Sequence, residues 1–400
     1  MVVGRSAGAH LAKSECAPHI HVWCPDLFDL KGGIGVFSAF LLSAIQELYP
    51  EGRYEVLLKN DRRRGQRETN GWQAVRFHFS GGWPLPLRTQ AYAASLIAAG
   101  VARRPHLVIT THLHFAPAAR LLKKIAGVPY WVVAHGVEAW DVESEKLKAA
   151  LHEADRILAV SNYTRRRLLD EQGLPPEAVA LLPNTFDDRR FSITPKPERL
   201  LRRYNLTPTQ PVLLTVSRLV ASERYKGYDS LLRALPAVWK EIPSLRYVIA
   251  GKGDDRPRIE GMIAEMGLGE CVTLAGFVPD EELCDYYNLC DVFAMPSKRE
   301  GFGIVYLEAM ACGKPTLGGN KDGAVDALCG GELGALVDPD DQGQLAAALV
   351  QLLRGTYPLP LVYQPERLRD SVIGRYGYET FKKTLHGYLE DFFEDHTRCA

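Results

Sequence analysis

The side chains that could do chemistry in this 400-residue chain are densest between Ser297 and Gly313, in the run Ser-Lys-Arg-Glu300-Gly301-Phe302-Gly303-Ile304-Val-Tyr-Leu-Glu308-Ala-Met-Ala-Cys-Gly. Glycines at 301 and 303 remove the side chains that would hold a ligand away from the backbone. From Ile304 the apolar spacing turns helical, so free N–H groups and the positive end of a helix dipole point into the bend. That is an anion site suited to a diphosphate. Glu308 falls in the early turns of the helix. From there a carboxylate can accept two ribose hydroxyls, as acidic residues do in dinucleotide sites. Glu300 stands in the loop before it. The alternative is a loop glycine pair beside a helix-favouring glutamate, and the run alone leaves both open.

Short, nearly continuous apolar runs alternate with helical patterns, which predicts parallel sheets buried on both faces. Strands are expected at His19–Trp23, Tyr54–Leu58, Val75–Phe79, Leu107–Thr110, Tyr130–Ala134 and Arg156–Val160. Gly32-Gly33-Ile34-Gly35 reads as a turn and Val36–Leu48 as the helix after it. The pattern restarts at Pro211–Val216 and continues through Arg246–Ala250, Val272–Ala275, Asp291–Met295, Pro315–Leu317 and Ala335–Val337, with a helix over Ser230–Ile242. Between the two series lies Phe191–Pro197, a polar linker punctuated by prolines. A second break spans Gly355–Pro365. It precedes an amphipathic helix, Glu379–Phe393, with apolar positions at Phe381, Leu385, Leu389 and Phe392. These elements predict an α/β protein of two Rossmann-like, doubly wound domains facing a central cleft, with the last helix crossing back to the first domain. The expected bounds are a flexible extension over 1–17, a first domain over 18–193 plus 377–400, and a second over 194–376.

Composition narrows the class. With 48 basic and 48 acidic residues the net charge is zero, so no general attraction to nucleic acid is implied. The balance is uneven: residues 1–200 carry 26 Lys/Arg against 20 Asp/Glu, the rest 22 against 28. Arg62, Arg63, Arg64 and Arg67, then Arg165, Arg166 and Arg167, are either solvated faces or a patch for an anionic acceptor or membrane surface. Eight scattered cysteines without a CxxC pair argue for reduced thiols, a cytoplasmic setting and no zinc. No run approaches the ~18 apolar residues of a membrane span.

Glu300 to Glu308 resembles the E-x7-E element of the retaining GT-B glycosyltransferases, specifically glycosyltransferase family 4, and the likeness extends over roughly residues 19–395. It implies that Arg218, in Val-Ser-Arg-Leu, and Lys226, in Glu-Arg-Tyr-Lys-Gly, clamp the donor diphosphate. Two such cations would neutralise a departing nucleoside diphosphate. The eight-residue step between them is longer than in many members. Gly33 and Gly35 look like the glycine loop facing donor phosphate and acceptor. His135, in Ala-His-Gly-Val-Glu138, is similar to the family's strand-end histidine that contacts the donor sugar, with Glu138 a weaker candidate. Phe277 and Val278 follow a strand where relatives offer backbone to the nucleobase. Gly251 is a further strand-end glycine, without the full GxGxxG of a nicotinamide site. Asn184 leads into the hinge.

The expected reaction is therefore retaining, metal-independent transfer from a nucleotide-sugar. His135, Glu300, Arg218 and Lys226 form the catalytic set, and Gly301, Phe302, Gly303, Ile304 and Glu308 bind the donor. No cofactor and no metal are expected. Asp338-Pro-Asp340 is a late loop rather than a metal-binding DxD, and His112 and His114 lack a third ligand nearby in sequence. A UDP-sugar such as UDP-glucose is favoured over GDP-mannose, with a saccharide, lipid-linked or small-molecule acceptor and a peripheral place at the inner membrane face. The competing readings are a GT-B nucleotide-sugar epimerase and a non-catalytic sugar-nucleotide binder.

Overall fold

Most strands form where the chain is apolar on both faces, and every strand pairing among the described residues is parallel. The computed structural model describes residues 17–28, 32–62, 72 and 74–397. Residues 1–16 of the expected 1–17 extension and the basic residues Arg63, Arg64 and Arg67 lie outside them. The first sheet contains β1 (His19–Cys24), β2 (Arg53–Leu58), β3 (Val75–Phe79), β4 (Leu107–Thr110), β5 (Tyr130–Ala134), β6 (Arg156–Ala159) and β7 (Val179–Leu181). Their order across the sheet is β3-β2-β1-β4-β5-β6-β7. The second contains β8 (Val212–Val216), β9 (Arg246–Ala250), β10 (Val272–Gly276), β11 (Val292–Met295), β12 (Thr316–Gly319) and β13 (Ala335–Val337), in the order β10-β9-β8-β11-β12-β13. Both orders reverse direction beside the first strand of the sheet, at β1/β4 and at β8/β11. Those switch points are where open α/β sheets leave a crevice for ligands.

Two details differ from the sequence reading. The first helix begins at Gly33, inside the glycine run rather than after it. Gly32 is its extended N-cap, and Val36 N–H bonds to the Gly32 carbonyl at 3.0 Å. Strand β7 was not foreseen, because three residues cannot display a period.

The last helix, Tyr378–Thr397, packs on the first domain as expected. Phe381, Leu385, Leu389 and Phe392 are all buried. Phe381 meets Phe37 at 5.6 Å between ring centroids, and Phe392 meets Trp131 at 5.5 Å. Each such burial contributes about 1.5–3 kcal/mol, enough in sum to fix the crossing. The linker before the second domain is held by Asn288, which accepts from Thr194 N at 3.0 Å and donates to the Ser192 carbonyl at 2.8 Å. Among the described residues, no helix is long and apolar enough to cross a membrane.

Candidate active site between the domains

The site is built where β5 of the first domain ends against the loop after β11 of the second. Gly301 lies so close to the first domain that a Cβ there would sit 1.7 Å from the His135 carbonyl oxygen. Gly136, at φ +136°, returns the contact: its Cβ would fall 2.6 Å from the Gly301 Cα. Only glycine on both sides lets the two backbones touch. The Gly301 carbonyl in turn excludes any side chain at Gly323.

The bend around Gly301 is held from inside the second domain. Asp322, fully buried, accepts from Glu300 N at 2.7 Å and from Ala324 N at 2.9 Å. Burial raises its carboxyl to about 6, against those two N–H bonds. Gly303 adopts φ +92° over the Tyr306 ring, and Tyr306 donates to the Met295 carbonyl at 2.6 Å. Gly303 N-caps helix Ile304–Ala311, and no side chain caps that end. Its first N–H groups are therefore available to an anion.

Lys226 reaches this bend. Its ammonium bonds Glu300 Oε2 at 2.7 Å, with both side chains largely buried. Burial alone would lower the lysine, but the Glu300 carboxylate outweighs it and the net shift is upward. Lys226 is thus a fixed cation. Arg218, just past β8, is mostly exposed and pairs with the buried Glu223. Glu223 leaves its second oxygen without a partner. Arg218 also bears on Asp26, at the carboxyl end of β1 across the cleft. Asp26 is raised to about 6, chiefly by burial and then by Asp61, with the Arg218 charge opposing.

His135 is neutral. Burial, with His112 nearby, takes its ring down to about 3, well below the usual histidine range. Its Nε2 lies 3.1 Å from the Thr111 carbonyl, so Nε2 carries the hydrogen and Nδ1 keeps a lone pair. The ring stands edge-on to Phe37 of the first helix at 4.9 Å, and Ser38 of that helix donates to Thr111 Oγ1 at 2.8 Å. The helix that starts at Gly33 and the histidine are thereby fixed as one unit. Glu138 accepts from His135 N at 2.5 Å, which makes it the support of this turn.

Glu308 accepts from the Tyr287 hydroxyl at 2.7 Å and is raised to about 7 by burial, partly offset by that bond. Gly251 is forced by the Ser217 carbonyl, 1.8 Å from where its Cβ would be. Val278 is buried, while Phe277 is 57% exposed with the Lys252 ammonium 4.5 Å above its ring. The Phe302 side chain is buried against Tyr376 at 5.3 Å, which leaves its backbone to serve a ligand. The Gly33–Gly35 run opens the first helix rather than a turn: Gly33 is an exposed first-turn residue, and among the described residues nothing lies within 4 Å of where its Cβ would be.

Residues 40–190 match the family described as glycosyltransferase family 4, and residues 198–366 match the glycosyl transferases group 1. The chain belongs to glycosyltransferase family 4. It is 36% identical over 253 residues to a GDP-mannose-dependent alpha-(1-6)-phosphatidylinositol monomannoside mannosyltransferase of Mycolicibacterium smegmatis, covering 60% of this chain and 65% of that one. A D-inositol 3-phosphate glycosyltransferase of Thermobispora bispora is 34% identical over 209 residues, covering 50% and 48% respectively. The chain thus spans about half to two thirds of the length of these curated relatives. Its fold is that of GT-B structures: it superposes on sucrose-phosphate synthase of Thermosynechococcus elongatus with TM-score 0.79 at 22% identity, over 94% of this chain and 100% of that one.

Three residues of this family 4 chain escaped the sequence reading. Asp322 positions the glycine bend. Asp26 and Asp61 close the far wall, where Asp61 accepts from Leu27 N at 2.6 Å and Phe28 N at 3.1 Å. Their signal was available as an acidic residue just past an apolar strand: Cys24-Pro25-Asp26 and Asn320-Lys321-Asp322. The basic run at 165–167 is no open patch. Arg165 donates to the carbonyls of Val179 and Pro176 at 2.8 and 2.9 Å, and Arg167 pairs with Asp141 at 2.7 Å and with Glu171.

Proposed function

We propose that this chain transfers a hexose, with retention, from a nucleoside diphosphate sugar to an acceptor hydroxyl, without a metal at the donor phosphates. The observation that carries the reading is the Lys226–Glu300 pair beside an uncapped helix start, in a bend whose Gly301 touches the His135–Gly136 turn of the other domain. A diphosphate there meets Lys226, Arg218 and the first amides of helix Ile304–Ala311. All of them strengthen as negative charge grows on the leaving group. As the anomeric C–O bond to phosphate breaks, the acceptor oxygen bonds the same face of that carbon and its proton passes to the departing phosphate. Glu300 and the free Nδ1 of His135 accept hydrogen bonds from the donor sugar's hydroxyls and orient the ring. The Glu308 carboxylate accepts from the ribose.

For the donor we favour GDP-mannose. No residue of the site selects UDP-glucose, the donor expected from the sequence, whereas the Mycolicibacterium relative bears GDP-mannose in its name. For the acceptor we favour a lipid-linked saccharide or inositol-bearing lipid. Beyond the carboxyl end of β3, Trp83, Leu85 and Leu87 are 53%, 77% and 56% exposed, an apolar rim suited to a lipid surface. That rim also supports peripheral placement on an anionic membrane.

The test is product formation from labelled GDP-mannose and UDP-glucose, each with phosphatidylinositol mannoside vesicles, inositol phosphate or no acceptor. Mannosyl lipid from GDP-mannose alone is the expected result. Donor turnover without acceptor would favour an epimerase, and binding without turnover would leave a sugar-nucleotide binder.

A further inference from the structure

The first sheet carries a second polar cluster, in the amino half of β1 and β2, away from the carboxyl ends that line the cleft. His19 and His21 alternate on β1 and so point to one face, with their rings edge-on at 5.1 Å. Glu55 pairs with His21 in the parallel register and joins them on that face. His19 Nε2 lies 3.8 Å from Glu55 Oε1, and His21 Nε2 lies 3.9 Å from Glu55 Oε2. One ligand atom from each of the three can be chosen with all three within 4.8 Å of one another.

The decisive observation is His21. It is 0% exposed, and neither ring nitrogen has a hydrogen-bond partner. A buried polar group without a partner calls for explanation, because burial removes its water and returns nothing. The parallel sheet offers the ring no donor or acceptor, since its backbone groups are spent on neighbouring strands. A cation bridging His21 to Glu55 would satisfy it.

We propose that His19, His21 and Glu55 form a binding site for a divalent transition metal of the zinc class. Two imidazoles and a carboxylate, with water in the fourth position, are a ligand set that such ions take in tetrahedral geometry. Tetrahedral zinc needs its ligand atoms about 3.4 Å apart, from Zn–N and Zn–O distances near 2.1 Å. The gaps of 3.8 and 3.9 Å close with small side-chain rotations. The second layer exists already. His78 Nε2 meets Glu55 Oε2 at 2.9 Å, Arg103 Nη1 meets Oε1 at 2.7 Å, and His106 Nδ1 accepts from His19 N at 3.0 Å. Arg103 neutralises Glu55 when no ion is bound. It is 36% exposed at the side chain and can swing aside when one arrives. His78, at 34%, marks the solvent route. The ion would pin β1 and β2 to each other far from the donor phosphates, a structural role independent of the transfer chemistry.

The probe is zinc itself, titrated calorimetrically into full-length, chelator-stripped, tag-free protein, with cobalt for spectroscopy. One equivalent should bind, cobalt should give the visible bands of a four-coordinate site, and the Tm should rise. His21→Asn and Glu55→Gln should each weaken binding at least tenfold, while His152→Asn, at an exposed surface histidine, should leave it unchanged. Binding unaffected by His21→Asn and Glu55→Gln would overturn the proposal. If His21→Asn does not fold, anomalous diffraction from zinc-soaked wild-type crystals decides. A peak within bonding distance of His19, His21 and Glu55 supports the site, and no peak there at saturating zinc overturns it.

Discussion

Two glycine clusters face the cleft, and they differ in how much the protein has already decided. Around Gly301 and Gly303 every missing side chain is demanded by a neighbour: the His135 carbonyl at 1.7 Å from one Cβ position, the Tyr306 ring at 2.4 Å from the other. Around Gly32 and Gly33 no described residue comes within 4 Å of a Cβ position. The bend in the second domain is a finished socket, fixed by Asp322 and Tyr306 before any donor arrives. The helix start in the first domain is an open edge, with Gly33 exposed. This suits a division of labour in which the second domain grips a constant diphosphate and the first meets a variable acceptor.

Substitutions can break that comparison, and the largest effect belongs to the socket's charge. Lys226→Ala should lower kcat/KM by about 10²–10³-fold, the cost of losing one preorganised group at developing charge, read by steady-state kinetics at fixed acceptor. Gly301→Ala should lose about 10²-fold, because backbones that must touch are forced apart by an ångström or more. Circular dichroism should show each domain still folded; an active Gly301→Ala protein would show that the two backbones need not meet.

A smaller effect concerns Glu308. Its carboxyl is raised to about 7 by burial, so it is ionised above that pH and protonated below. Only the ionised form accepts from both ribose hydroxyls, so donor affinity should fall about tenfold for each unit below it. Glu308→Gln should flatten the profile measured by donor KM against pH. Smallest is Gly33→Ala. In an open first turn alanine should raise stability by up to about 1 kcal/mol, seen as a higher Tm. A lower Tm would mean that this edge is as crowded as the socket.

The same contrast explains what could be read from sequence. Strands such as Val212–Val216 and Tyr130–Ala134 announce themselves because burial on both faces leaves no room for polar residues. The Glu300–Glu308 run is legible because glycine, helix start and carboxylate are neighbours in the chain. Asp322 was legible only as an acidic residue after a strand, not as the support of the bend, since its partners Glu300 N and Ala324 N include one in another loop. The neutrality of His135 depends on burial, to which Phe37 contributes, and on His112, with the Thr111 carbonyl opposing; none of these contacts is revealed by spacing. The direction of the Phe302 side chain was not legible either: within the motif it turns to the core against Tyr376. Gly33 misled because a glycine before an apolar period reads as a turn, when here it is the helix's first residue.

The central claim is that the second domain grips a diphosphate through Arg218, Lys226 and the uncapped amides after Gly303. Calorimetric titration of GDP and UDP into the wild-type chain and into Arg218→Ala tests it without any acceptor or assay of transfer. The account predicts one nucleoside diphosphate bound per chain and at least a tenfold loss of affinity in Arg218→Ala. Failure of the wild type to bind either nucleotide, or equal affinity in the variant, would contradict it.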